Sequence, residues 1–163
     1  MDDFAHARRR WKLYSALAEL ADSIAVVSLA AFVKRAWHIL NPGRRLVWNW
    51  HHTVACDHLE AITRKQIRKV IFNMPPGNMK TTIKNCWIVW EMLQFPEYRY
   101  ISVSYSDELS KKSALDRRRI LGSEWYRGMR RHAERIFGVP YWNLSSEAVH
   151  EVATTRGGWI LAT

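Results

Sequence analysis

Apolar residues recur at helical spacing from Phe4 to Leu40, first at Trp11, Tyr14, Leu17 and Ala18 and then at Ile24, Val27, Leu29, Phe32 and Trp37. This pattern predicts two helices. Asn41-Pro42-Gly43 ends the block, because proline lacks the amide hydrogen a helix needs and glycine takes up turn geometry. A third helix is expected from about Trp48 to Ile62, with Val54, Leu59 and Ile62 for one face, followed by the basic residues Arg64, Lys65 and Arg68. The period then changes. Lys69-Val70-Ile71-Phe72-Asn73, bounded by charge and by Pro75-Pro76, reads as a short buried strand. Thr81 to Phe95 returns to helical spacing at Ile83, Trp87, Trp90 or Glu91, and Gln94, and Pro96 stops it.

Arg99 to Tyr105 predicts a second strand. A basic helix follows from Ser106-Asp107, whose short polar side chains suit an N-cap, and its signal continues through Arg117-Arg118-Arg119 and Trp125-Tyr126 to about Phe137. Beyond Gly138 and Pro140, Glu147–Thr154 and Trp159–Ala162 form an expected hairpin about Gly157-Gly158. There are no internal repeats or low-complexity tracts. The two β-to-α steps predict an α/β fold.

Composition narrows the classes. The chain has 163 residues, nearly half of them apolar, with nine tryptophans; folding as one domain buries about two thirds of the surface of the unfolded chain. Lys and Arg total 25 against 15 for Asp and Glu, a formal charge of +10, which makes polyanions, nucleic acid first, the leading partner class. A basic surface that only confers solubility is the plain alternative. Cys56 and Cys86 lie in amphipathic stretches without paired spacing, which fits a reducing cytoplasm rather than a disulfide framework. The most apolar run, Ile24 to Val33, is ten residues long, about half a membrane span, and predicts a core helix. Asp2 and Asp3 ahead of Arg8, Arg9 and Arg10 do not resemble a secretion signal.

The candidate chemistry lies in the loop between the first expected strand and its helix, Met74 to Thr82. A phosphate chain is commonly held by backbone amides at a helix amino terminus, where unpaired donors and the helix dipole both favour an anion. Lys80 brings a point charge for the terminal phosphates and Thr81 a hydroxyl for the magnesium ion that bridges them. The usual glycine pattern is not met, since Met74 and Met79 stand where two glycines belong; Gly77 supplies the sharp turn and Pro75-Pro76 stiffen the entry. An ordinary β-to-α turn carrying a surface lysine is the alternative.

Other clusters carry less. His51, His52, Cys56 and His58 fall within eight residues, and His52 and Cys56 are four apart, but no second ligand pair accompanies them, and Trp48, Trp50 and Leu59 favour a packed helix over a zinc site. Arg117, Arg118 and Arg119, with Lys111, Lys112, Arg127, Arg130 and Arg131, form a basic surface suited to DNA phosphates or to a neighbouring subunit's nucleotide, and equally to a solvated helix face. Asp107, Glu108 and Asp116 follow no apolar strand as a magnesium carboxylate would, and are assigned no catalytic role.

Four segments in order, His58-Leu59-Glu60-Ala61-Ile62, Asn73 to Thr82, Ser104-Tyr105-Ser106, and Arg117-Arg118-Arg119-Ile120 with Ser123 and Trp125-Tyr126, resemble the large terminase subunit of tailed bacteriophages. Gly157-Gly158 through Thr163 resembles that family's following hairpin, so the likeness runs from about Phe32 to Thr163. The resemblance implies a RecA-like P-loop ATPase core, a three-layer fold with a mostly parallel sheet, in which residues 44–163 are the amino-terminal portion and residues 1–43 a helical extension. It implies a motor that drives double-stranded DNA into procapsids in the cytoplasm of an infected bacterium. Its partners would be the small terminase subunit, the portal protein and other copies in a homo-oligomeric ring, without a membrane.

Carried over by position, Pro76, Gly77, Asn78, Met79, Lys80, Thr81 and Thr82 would form the Walker A loop for ATP and Mg2+, with Lys80 on the β and γ phosphates and Thr81 on the metal. Trp50 and His51 would lie on the adenine side, and Arg117, Arg118 and Arg119 would contact DNA or act in trans. Two departures stand out. Gly77-Asn78-Met79-Lys80 replaces the family's Arg-His-Gly-Lys, which removes an arginine from the loop. The acidic Walker B pair, the catalytic glutamate and the nuclease carboxylates would follow Thr163, so the chain is expected to be incomplete at its carboxyl end, with exposed sheet edges, and to bind nucleotide better than it hydrolyses it. Another P-loop motor, such as a helicase, and a non-enzymatic basic DNA-binding fragment are the competing classes.

Overall fold

The computed structural model describes residues 3–148 and 151–163. Asp2, together with Val149 and His150 of the expected Glu147–Thr154 strand, lies outside the described residues, as do the side chains of residues 3–11, Arg8 to Arg10 and Trp11 among them, and of Glu147. Six helices, α1 (Asp3–Val27), α2 (Leu29–Leu40), α3 (Trp50–Thr63), α4 (Lys80–Gln94), α5 (Asp107–Leu121) and α6 (Glu124–Phe137), accompany four strands, β1 (Arg99–Ser102), β2 (Leu144–Glu147), β3 (Glu151–Thr154) and β4 (Trp159–Ala162).

The expected helix pair is present, and it bends by 118° between α1 and α2. Ser28 makes the break: its hydroxyl accepts from Ala31 N at 3.4 Å, while the Glu60 carboxylate accepts from Leu29 N at 2.8 Å. Both acceptors fill donors that the first turn of a helix leaves open. The bend turns Leu29, Phe32, Val33 and Ala36 into the core. Among the described residues no single helix is long and apolar enough to cross a membrane.

Helix α4 is the centre of the molecule and packs on α2, α3, α5 and α6. Its Cys86, Val89, Met92 and Leu93 are fully buried. Trp90 Nε1 donates to Ala25 O and Val26 O at 3.1 and 2.9 Å, tying the end of α1 to it. The helical signal read as one run from Ser106 to Phe137 is two helices: Ser123 accepts from Tyr126 N at 3.1 Å and so starts α6 after the end of α5.

The sheet overturns the expected fold class. Its order is β1-β4-β3-β2, with β1 parallel to β4 and the other two pairs antiparallel. This is one small mixed sheet of four-residue strands beside a helical body, not a three-layer, mostly parallel RecA-like core. The physical reason lies at Lys69–Asn73. The segment has strand-like alternation, with Val70 and Phe72 half-buried and Lys69, Ile71 and Asn73 exposed, yet among the described residues it joins no ladder. Without it the segment before the loop is not a sheet strand, and helix-on-helix packing carries the core. The expected Arg99–Tyr105 strand is present over Arg99–Ser102 as β1, and the hairpin about Gly157-Gly158 as β3 and β4, while Glu147, expected in the first strand of that hairpin, ends β2 instead. At Gly158 a Cβ would press on Pro96 O and stand 2.6 Å from Tyr98 O, so only glycine lets the hairpin lie against the end of α4.

Candidate phosphate-binding site

The loop enters α4 through two left-handed residues. Gly77 has φ +83° with nothing within 4 Å of the position a Cβ would occupy, and Met79 has φ 53°. Left-handed geometry costs a non-glycine residue about 1–2 kcal/mol, and Met79 keeps it while its side chain packs against the hydrophobic core. Strain of this kind collects where a backbone must present its amides. Met79 is the N-cap of α4 and provides no side-chain cap, so Lys80, Thr81 and Thr82 form the first turn with their amides open to an incoming acceptor. Asn78 Nδ2 donates to Pro75 O at 3.2 Å and braces the turn.

Lys80, the first residue of α4, folds back over the loop, its ammonium donating to Met74 O and, at 3.3 Å, to Pro75 O. Thr81 is exposed, and Thr82 is half-buried. The loop stands at the meeting of several clefts. A cavity of 710 Å³ is lined by Lys80, Thr81, Lys84 and Trp87 of α4 and by Val70 and Phe72 of the segment before the loop. A more polar one of 390 Å³ joins Thr81, Thr82 and Lys84 to Ser104, Lys112 and Asp116. A third, of 310 Å³, places Trp50, His51 and His58 beside Phe72 and Met74. Trp50 is 77% exposed and meets His51 edge-on at 5.8 Å, an aromatic face open to a planar base.

Electrostatics follow from burial. Burial, and then the nearby Arg117 charge, lower the tendency of Lys84 to hold its proton; its Nζ donates to Ser102 Oγ at 3.3 Å. Burial raises the Asp116 carboxyl, and Arg119 pulls it partly back from 3.7 Å. The three arginines taken together in the sequence separate here. Arg117 is buried, pushed down to about 10 chiefly by desolvation. Its Nη1 donates to Asn85 Oδ1 at 2.9 Å and Ser102 Oγ at 3.4 Å, joining α5, α4 and β1. Arg118 is half-buried, and Arg119 lies on the surface.

Spacing along the sequence gave no role to Asp116 and did not single out Lys84, although Lys84 follows Lys80 by one helical turn and so shares its face. The residues present fit a polyphosphate: a glycine turn open on its Cβ side, free first-turn amides, a lysine and a threonine hydroxyl. Among the described residues no group of three His, Cys, Asp or Glu is placed to hold a metal ion directly. Cys56 is buried, with its thiol pushed up to about 12, first by desolvation. Comparison with protein families, with curated proteins and with solved structures finds no match to this chain.

Proposed function

We propose that this chain is an ATP-binding part of a phage terminase large subunit, the motor that packages double-stranded DNA into procapsids. The supporting observation is the turn at Gly77 and Met79, left-handed at both residues, which presents Lys80, Thr81 and Thr82 as an uncapped first helical turn beside open clefts. In this reading the amides of that turn hold phosphate oxygens. The Lys80 ammonium exchanges the carbonyls of Met74 and Pro75 for the β and γ phosphates. The Thr81 hydroxyl holds a Mg2+ that arrives with the nucleotide, and the base stacks at Trp50 and His51. Bound magnesium would neutralise charge on the transferring phosphoryl group. Among the described residues Asp116 is the one carboxylate lining the clefts described above, so the chain is expected to hold nucleotide far better than it turns it over.

Equilibrium binding of labelled ATP tests this. Lys80→Ala is expected to abolish measurable binding while leaving the fold intact by circular dichroism, and unchanged affinity would sink the proposal. Portal-bearing procapsids, rather than forked DNA, should raise any residual turnover, which separates a packaging motor from a helicase. The remaining partners, the small terminase subunit and further copies in a ring, belong to the same proposal.

A further inference from the structure

A fourth cleft, of 350 Å³, borders the loop, and its lining brings Arg44 and Arg45 together with Gly77, Asn78 and Met79. These arginines come from the connection between α2 and α3, more than thirty residues away in sequence. We propose that Arg44 and Arg45 are a second cationic wall of the nucleotide site and contact the polyphosphate opposite Lys80. The inference rests on the reading of the loop as an ATP site and adds the residues that complete its charge.

Three observations carry it. The backbone that bears the pair is pinned: Arg44 N donates to Asn41 O at 3.2 Å, and Trp37 Nε1 donates to Arg44 O at 2.8 Å. Both side chains are exposed, and among the described residues neither guanidinium has an ion-pair or hydrogen-bond partner, so neither must break a bond to take a phosphate. The loop itself carries one lysine, and the exposed Arg68, Lys69 and Lys112 line the neighbouring clefts rather than this one. Lys80 is engaged by two carbonyls, and burial disfavours the charged form of Lys84. A nucleotide tail with several negative charges calls for more, and a guanidinium fork grips phosphate oxygens in pairs where an ammonium acts as a point charge. The plain alternative, two solvated arginines on a loop, does not account for their sharing one cleft with the turn.

The test compares ATP affinity, at fixed salt, of the wild-type chain, Arg44→Ala/Arg45→Ala, Lys80→Ala, and Arg135→Ala/Arg156→Ala, which removes the same charge from two exposed arginines that line none of the four clefts. Arg44→Ala/Arg45→Ala is expected to weaken ATP by about tenfold or more, as loss of charged hydrogen bonds does, and the Arg135/Arg156 pair to leave it unchanged. Arg44→Gln/Arg45→Gln, which keeps the alkyl stems, should show the same loss if the alanine pair folds poorly. If wild-type binding is lost in Lys80→Ala but kept within about twofold in the Arg44/Arg45 variants, this inference falls and the ATP site stands. Equal weakening by the Arg135/Arg156 pair also overturns it, by showing a long-range field effect. No ATP binding by the wild-type chain removes both.

Discussion

His52 occupies the third position of α3, where its Nδ1 accepts the amide of Asn49 at 3.1 Å and closes the helix start. Burial first, and the neighbouring His51 charge second, hold its proton affinity below the ordinary 6.5. A protonated ring has no lone pair at Nδ1 to accept with, so the hydrogen bond exists only in the neutral form. The folded state therefore resists a proton that the unfolded chain takes up from about pH 6.5 downward, and the stability present above that pH is lost as pH falls. His52→Gln keeps an acceptor suited to this capping position and does not titrate. Its urea midpoint is expected to fall less than the wild type's between about pH 7.5 and 5.5, and parallel curves would refute the role. Glu91, raised by burial, works in the opposite direction in both proteins and cancels in the comparison. At this scale the sequence exposed Met79 as a misfit to the glycine pattern, but only the backbone shows it adopting the left-handed geometry for which a glycine was expected.

Among the elements, α2 shows how a start signal can be invisible in sequence. Ser28 is a readable cap, yet the shorter bond to Leu29 N comes from Glu60, on another helix and thirty-one residues away. Glu60 is buried and also pairs with Arg64 at 2.6 Å. Its charge sits at the positive end of the α2 dipole. Glu60→Ala is expected to destabilise the protein by about 1–3 kcal/mol, because it leaves a buried amide unpaired. Glu60→Gln, still an acceptor, should lose less, and a thermal-unfolding comparison of the two checks the order. Helical periodicity located α3 and α4 to within two residues at either end and the close of α2 at Leu40, because each buries one face along its length, but it did not place the start of α2. The same periodicity ran through Gly122-Ser123, since a helix break that keeps both halves amphipathic leaves the spacing of apolar residues almost unchanged. Strand signals were weaker still. Lys69–Asn73 and Arg99–Tyr105 read alike in sequence, but only the second finds a partner, Trp159–Ala162.

For the whole molecule, the charge of +10 is fixed by composition, whereas its layout is not. The structure withdraws Arg117 and Arg130 into the interior, where Arg130 Nη1 donates to Trp142 O at 2.8 Å, and leaves Lys112, Arg127 and Arg131 exposed on α5 and α6. If that face meets double-stranded DNA, affinity should fall linearly on a log–log salt plot, and Lys112→Glu/Arg127→Glu/Arg131→Glu should reduce the slope by about 0.9 for each phosphate the protein no longer neutralises. An unchanged slope would place DNA elsewhere. The sequence by itself determined where helix forms, though not the breaks at Ser28 and at Gly122-Ser123, together with the hairpin about Gly157-Gly158, the basic balance and the loop at Met74 to Thr82, because periodicity, turn chemistry and charge are local properties. Tertiary structure alone decided the mixed sheet, the unpaired approach to the loop, the burial of Arg117 and the meeting of Arg44 and Arg45 with Gly77 to Met79. Those features depend on which distant segments satisfy one another's hydrogen bonds and exclude water together, and no window of neighbouring residues contains that information.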